Sequence, residues 1–312
     1  MERASDFDTF YQQLKPFLRS LDAPLKLQRR HLRATYYCFI AGIIFLLSSW
    51  LQVLGWSGWL CSALFGILTM LHGSLWWTHQ RNFSRNYKSG IMKAILEFMD
   101  ADLEYDEISL IVARDYQWSS LFRRRYDYFE TRDAIRGNYK GVHFEACQLT
   151  TTGLSQGGGK HEIHFSGLFL KAAIHPNYQA GTYCWKTGQE QLAATVAEEI
   201  DRLYPMPDVH AFTLNDPHFH QYYSVYSTFS AEAAALLHHE RRQHLLQFIR
   251  QTGNLPRFSF VAGTCYAAIP LEEDLLLLPE KDAGNPDPIR HSFYSVLLIL
   301  SLLNALQLRD LL

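Results

Sequence analysis

The chain has 312 residues, with 29 Lys and Arg against 31 Asp and Glu, and a mean hydropathy of −0.13. This even balance argues against a nucleic-acid binder, which carries a clear basic excess. The five cysteines (Cys38, Cys61, Cys147, Cys184 and Cys265) are widely spaced with no C-x-x-C, which argues against a disulfide framework or zinc ribbon and suits a reducing compartment.

Residues 1–33 read as an amphipathic arm. Phe7, Phe10, Tyr11, Leu14, Phe17, Leu18 and Leu21 recur at helical spacing, in a heptad-like seam that Pro16 is expected to interrupt. Such a seam packs either on the protein's own domain or on a second copy, making a homo-oligomer.

From Ala34 to Gln80 there is no Lys, Arg, Asp or Glu. The stretch splits at Gly55-Trp56-Ser57-Gly58 into two runs, about 36–54 and 59–78. Each is about the ~20 residues a helix needs to cross the hydrocarbon core. Trp50, Trp56 and Trp59 gather at one end of the pair, and Tyr36, Tyr37, Trp76 and Trp77 at the other, as interfacial aromatics do. Lys26, Arg29, Arg30 and Arg33 precede the hairpin, and Arg81, Arg85, Lys88 and Lys93 follow it. Basic flanks on both sides place both in the cytosol. The expectation is a multi-pass protein of the inner (cytoplasmic) membrane with N- and C-terminal parts cytosolic. His72 falls inside the second span, where a neutral imidazole bonded to Ser or Thr across the hairpin is expected.

Residues 81–312 read as a cytosolic α+β domain with an antiparallel sheet and flanking helices. The acidic run Asp100, Asp102, Glu104, Asp106 and Glu107 lacks EF-hand spacing and reads as a solvated face. Residues 126–186 are aromatic-rich, partly alternating and punctuated by glycines, which predicts an antiparallel meander. A helix follows from Gln189 to Leu203, then a strand-like stretch from Val209 to about Ser227. A second helix is expected from an N-cap at Ser230 to Gly253. Arg257–Ile269 reads as a hairpin turning at Ala262-Gly263-Thr264. The uncharged stretch after His291, to Leu308, carries a broken polar stripe (Ser292, Ser295, Ser301, Asn304, Gln307). It reads as a packed helix, with a third span as the alternative.

Several site readings fail on spacing. In Gly153–Lys160 a phosphate loop would need its first glycine at position 154, which is Leu154, and a hydroxyl residue after Lys160, which is His161. No G-x-S-x-G occurs, and no cofactor motif. Arg123-Arg124-Arg125 with Arg132, Arg136 and Lys140 is interleaved with acids and reads as a mixed charged surface. Among the 14 histidines, His210, His218 and His220 lie close together. Asp216, His218 and His220 are weak metal candidates, sharing one strand face if the stretch is a strand.

The order of segments resembles a bacterial family catalogued as domain of unknown function 3137, sometimes mislabelled galanin. The resemblance rests on Ser119-Ser120-Leu121-Phe122, Asp133-Ala134-Ile135-Arg136-Gly137, Phe165-Ser166-Gly167-Leu168-Phe169, the stretch Phe219 to Ser227, and the hairpin Phe260 to Ile269. It implies a membrane-anchored cytosolic domain with a packed C-terminal helix, and brings no activity or catalytic residue. The expected function is a tethered interaction or scaffold protein with the lipid bilayer and a membrane-proximal protein as partners. The alternative is a tethered enzyme or ligand/metal sensor using His210–Tyr223.

Overall fold

The computed structural model describes residues 2–51, 53, 55–99, 102–122, 126–154, 159–188, 209–279 and 282–312. Two compact units emerge: Met1–Ala94 with Leu278–Arg290, and Ile95–Leu277 with His291–Leu312.

The first unit is built on two long helices, α1 (Glu2–Trp50) and α2 (Gly55–Phe98, which runs on into the second unit). At 1.5 Å per residue the 49 residues of α1 reach about 74 Å, more than twice the ~30 Å hydrocarbon thickness. Polarity reverses along the pair. Near the N-terminus the apolar side chains face inward: Phe7, Phe10, Leu14, Leu18, Leu21 and Leu25 on α1 are buried, as are Phe83, Tyr87, Ile91 and Met92 on α2. Further along, the apolar side chains face outward, among them Phe39, Ile43, Ile44, Leu47, Leu64, Ile67 and Met70. The most apolar 18-residue window of each helix is only 6 % buried, and both helices are long and apolar enough to cross a membrane.

The helices zip antiparallel at several levels. Gln28 hydrogen-bonds Gln80, a Cβ added to Gly73 would lie 3.8 Å from Thr35 Cγ2, and Phe45 stacks on Phe65 at 5.4 Å. A Cβ on Gly90 would overlap the Phe17 ring, so this glycine lets the two helices approach.

Two expectations are corrected here. α1 ends at Trp50 and the chain re-enters helix at Gly55, so Gly55–Gly58 opens α2 rather than forming the turn. Gly55 has φ 53°, the left-handed region that glycine reaches at little cost, so it completes the reversal. Pro16 does not interrupt α1, which runs through both Pro16 and Pro24. Both prolines lie on the exposed side, where the freed carbonyl reaches water, while the buried seam continues past them.

The second unit holds a nine-stranded sheet with every described pairing antiparallel, in the order β1-β2-β3-β4-β9-β8-β5-β7-β6. The strands are β1 (Asp102–Asp106), β2 (Tyr128–Tyr139), β3 (Val142–Leu154), β4 (His161–Ala173), β5 (Thr182–Lys186), β6 (His210–Ala211), β7 (Tyr223–Ser227), β8 (Arg257–Val261) and β9 (Thr264–Pro270). The expected meander is β2-β3-β4. The acidic run, expected only as a solvated face, is the edge strand β1, with Leu103 and Tyr105 half-buried between exposed Asp102 and Glu104. Charge on an edge strand discourages pairing with other chains.

The period of two divides the sheet into faces. On β8, Ser259 Oγ donates to Ser119 O at 2.6 Å and Arg257 lies over the Phe122 ring, both toward the segment carrying α3 (Ala113–Ser119). The alternate residues Phe258 and Phe260 are fully buried. The α3 side is closed by Ile111, Tyr116 and Leu121 against Cys147, Leu149, Phe165, Phe169 and Tyr266. The β8–β9 hairpin turns at Ala262-Gly263, with φ 47° and 74°. Two successive positive φ values define the tight turn that matches strand twist.

The remaining helices among the described residues are α4 (Pro217–His220), α5 (Ser230–Leu236), α6 (His239–Thr252) and α7 (Pro286–Leu306), the last followed by a 3-10 turn. The single helix expected from Ser230 to Gly253 is two helices. His238 breaks it, its Nδ1 accepting from Arg241 N at 3.4 Å to cap α6, and Phe229 rather than Ser230 is the N-cap of α5. Gly253 closes α6 at φ 71° as expected. The apolar window of α7 is 61 % buried. Ser292 and Ser295 of its polar stripe are buried rather than facing water. The helix expected over Gln189–Leu203 lies outside the described residues, as do 123–125 and 155–158.

Candidate functional site

The segment between β1 and α3 is irregular but tightly held. Ile108 N donates to Asp106 Oδ1 at 3.0 Å. Glu145 Oε1, on β3, accepts from both Ser109 Oγ and Leu110 N at 2.7 Å. Val112 N donates to Asp115 Oδ2 at 3.0 Å, which starts α3, and Lys171 Nζ reaches Asp115 Oδ1 at 2.7 Å. Ile111 is buried, whereas Ile108, Leu110 and Val112 are 72 %, 65 % and 51 % exposed. The result is an extended, alternating strip that points three aliphatic side chains at solvent from a backbone fixed by charge-assisted bonds. On the following helix Trp118 is exposed, with the Arg114 guanidinium 5.3 Å from its ring centre. Apolar side chains shown on a pinned backbone beside a Trp–Arg pair have the composition of a protein-binding surface. This strip was not singled out from the sequence, where Ile108–Val112 reads as an ordinary apolar run.

The histidine region has a different organisation from the one expected. Residues 209–227 are not one strand. Asp216 and Pro217 start the helical turn α4, Asp216 accepting from Phe219 N at 3.1 Å with Pro217 at the first helical position. His218 and His220 therefore do not share a strand face. His218 is exposed, and His220 Nε2 lies 2.7 Å from Leu214 O, bracing the preceding loop. Asp216 is buried and paired with Arg242 Nε at 2.8 Å. Burial pushes the Asp216 carboxyl upward, but the Arg242 guanidinium and the Phe219 amide outweigh it and hold the carboxyl below its usual range. Arg241 is fully buried and donates to the carbonyls of Leu236, Leu306 and Gln307, tying the ends of α5 and α7 together. Among the described residues no group of three or more His, Cys, Asp or Glu side chains is placed to hold a metal ion.

In the hairpin, His72 meets His31 rather than a serine or threonine, the two Nδ1 atoms lying 3.2 Å apart. His79 stacks on His31 at 5.3 Å.

The motif residues of the sheet have clear structural work. Phe165 and Phe169 fill the core, and a Cβ on Gly167 between them would overlap Ile269 O on β9. Phe219 and Tyr223 are buried, Tyr223 donating to Pro256 O at 2.8 Å. Residues 163–308 match the family model described as protein of unknown function (DUF3137). The matched stretch is just under half of the chain. No curated protein and no solved structure matches the chain.

The DUF3137 match takes in β4 through α7, with Asp216, Arg241 and Arg242, but not Ser119–Phe122 or Asp133–Gly137. Both of those are structural all the same. Ser120 adopts φ 49° at the end of α3, and Trp185 Nε1 donates to its carbonyl at 3.2 Å. Asp133 sits at φ 54° in a β2 bulge, where Tyr105 Oη donates to its carboxylate at 2.7 Å. The Ile108–Trp118 strip also lies outside the DUF3137 stretch.

Proposed function

We propose that this protein, which matches the DUF3137 model over residues 163–308, is a tethered interaction or scaffold protein. Its helical hairpin sits in the cytoplasmic membrane of a bacterium, with the sheet unit in the cytosol. The observation that carries the membrane part is the reversal of polarity along α1 and α2, since apolar side chains facing outward from an isolated pair need lipid around them. Basic residues on both flanks support the cytosolic assignment. The Ile108, Leu110, Val112 and Trp118 strip supports a protein partner, and tethering raises the effective concentration of the sheet unit near membrane proteins.

The test is purification of the intact protein in mild detergent, compared with Leu110→Asp and Trp118→Ala. A stoichiometric partner, with affinity lowered about 30-fold by Trp118→Ala, is expected if Trp118 is a central contact at about 2 kcal/mol. A partner retained equally by both variants removes the strip from the proposal. A solitary protein that turns over a small molecule replaces scaffold with enzyme.

A further inference from the structure

Just outside the apolar segment α1 carries Lys26, Arg29, Arg30 and Arg33, and Tyr37 follows at the segment's start. Offsets of three, four, seven and eleven residues from Lys26 put all of them on one helical face. They line, with Ala34, an open groove of about 470 Å³. Lys26, Arg30 and Arg33 are exposed, and Tyr37 is 67 % exposed at the first turn of the apolar segment. The nearest carboxylate on α1 is Asp22, one turn before Lys26 on the same face, and from there to Glu97 neither helix of the hairpin has an Asp or Glu to offset Arg30 and Arg33.

We propose that this groove binds the phosphate of an acidic phospholipid headgroup, with Arg30 and Arg33 as its principal contacts and the Tyr37 ring against the glycerol and upper acyl region. Guanidinium groups match phosphate oxygens in bidentate geometry. An amphipathic aromatic is stable at the headgroup level. The stripe differs from a general basic flank in its one-faced spacing and its continuity with the first turn inside the bilayer. The proposal rests on the membrane reading of the hairpin, so its test keeps the two apart.

Full-length protein is reconstituted in vesicles of phosphatidylcholine alone and floated on a density gradient, which tests the hairpin. In parallel, delipidated protein in detergent is offered equimolar phosphatidylglycerol and phosphatidylcholine with identical chains, and the bound ratio is read by native mass spectrometry. The expected result is flotation of every variant, phosphatidylglycerol preferred about tenfold by wild type, and that preference lost, a ratio near one, in Arg30→Gln/Arg33→Gln. Arg81→Gln/Arg85→Gln, which removes equal charge from α2, should keep most of the preference. Equal loss in the two double variants would reduce the groove to bulk charge and overturn the proposal, as would no preference in wild type. Glycerol 3-phosphate competing as well as the lipid would assign the site to free phosphate esters and overturn the lipid source. Failure of wild type to float would strike the membrane reading itself.

Discussion

Asp216 is where residue-level chemistry and the sequence reading part most clearly. Its carboxylate caps α4 and neutralises Arg242, whose side chain is 12 % exposed. Removing it by Asp216→Ala leaves a buried guanidinium without its partner, at a cost of about 3 kcal/mol. The effect depends on pH in a defined direction. The folded-state pKa is lowered, so the stabilisation is present above the unfolded value of about 3.9 and is lost as pH falls through the lower folded value. Urea titrations of wild type and Asp216→Asn should differ most near neutral pH, and the gap should close only as pH falls through the lowered folded-state value. An unchanged gap at low pH would contradict the ion pair. Val209 to Ser227 reads as strand-like in the sequence, and the helix start at Asp216-Pro217 emerges only from the fold. The partner of Asp216, 26 residues on, was not legible, because the tertiary fold alone brings α6 to that loop. The same holds for Arg241, whose acceptors are three backbone carbonyls that sequence spacing cannot show.

At the scale of elements, long segments were legible and boundaries less so. The charge-free stretch, the β2-β3-β4 meander, the β8–β9 turn and the Gly253 stop all follow from strong local signals. The break at His238 was missed because the apolar spacing carries through it. β1 was missed because acidic residues dominate its composition, although Leu103 and Tyr105 keep the period of two. Pro16 reads as a helix breaker in the sequence, whereas Pro16 and Pro24 lie on the exposed side of α1 and the helix runs through both. The polarity reversal makes two substitutions on this one helix act differently. Leu18→Ala empties a buried seam position and should destabilise the helix pair by about 2–5 kcal/mol, read as an earlier thermal loss of helical ellipticity. Ile44→Lys places a charge on the outward apolar face, a cost of about 3 kcal/mol to insertion. It should lower the membrane-bound fraction in cell lysates while leaving the sheet unit folded. Equal behaviour of the two variants would contradict the division of α1 into a packed part and a lipid-facing part.

For the whole molecule, composition averages two chemistries: a helical pair long and apolar enough to cross a membrane, and a sheet unit built on a buried apolar core. The charge-free helical pair is therefore plain in the sequence while the exposed Ile108–Trp118 strip is hidden, since exposure of an apolar run depends on what the fold covers. The chain's own cysteines make its orientation measurable. Cys147, Cys184 and Cys265 are buried, and burial pushes the Cys147 and Cys265 thiols up to about 12, so they stay unreactive in the folded protein. With Cys38 and Cys61 replaced by alanine, a single cysteine is placed either at Val53, exposed between the two helices, or at Lys160, exposed beside β4. A membrane-impermeant maleimide is then applied to intact spheroplasts and to lysed ones. Labelling of Val53→Cys in intact cells, with Lys160→Cys labelled only after lysis, is the result predicted for an inserted hairpin and a cytosolic sheet unit. Labelling of Lys160→Cys in intact cells, or protection of both sites until lysis, would contradict it.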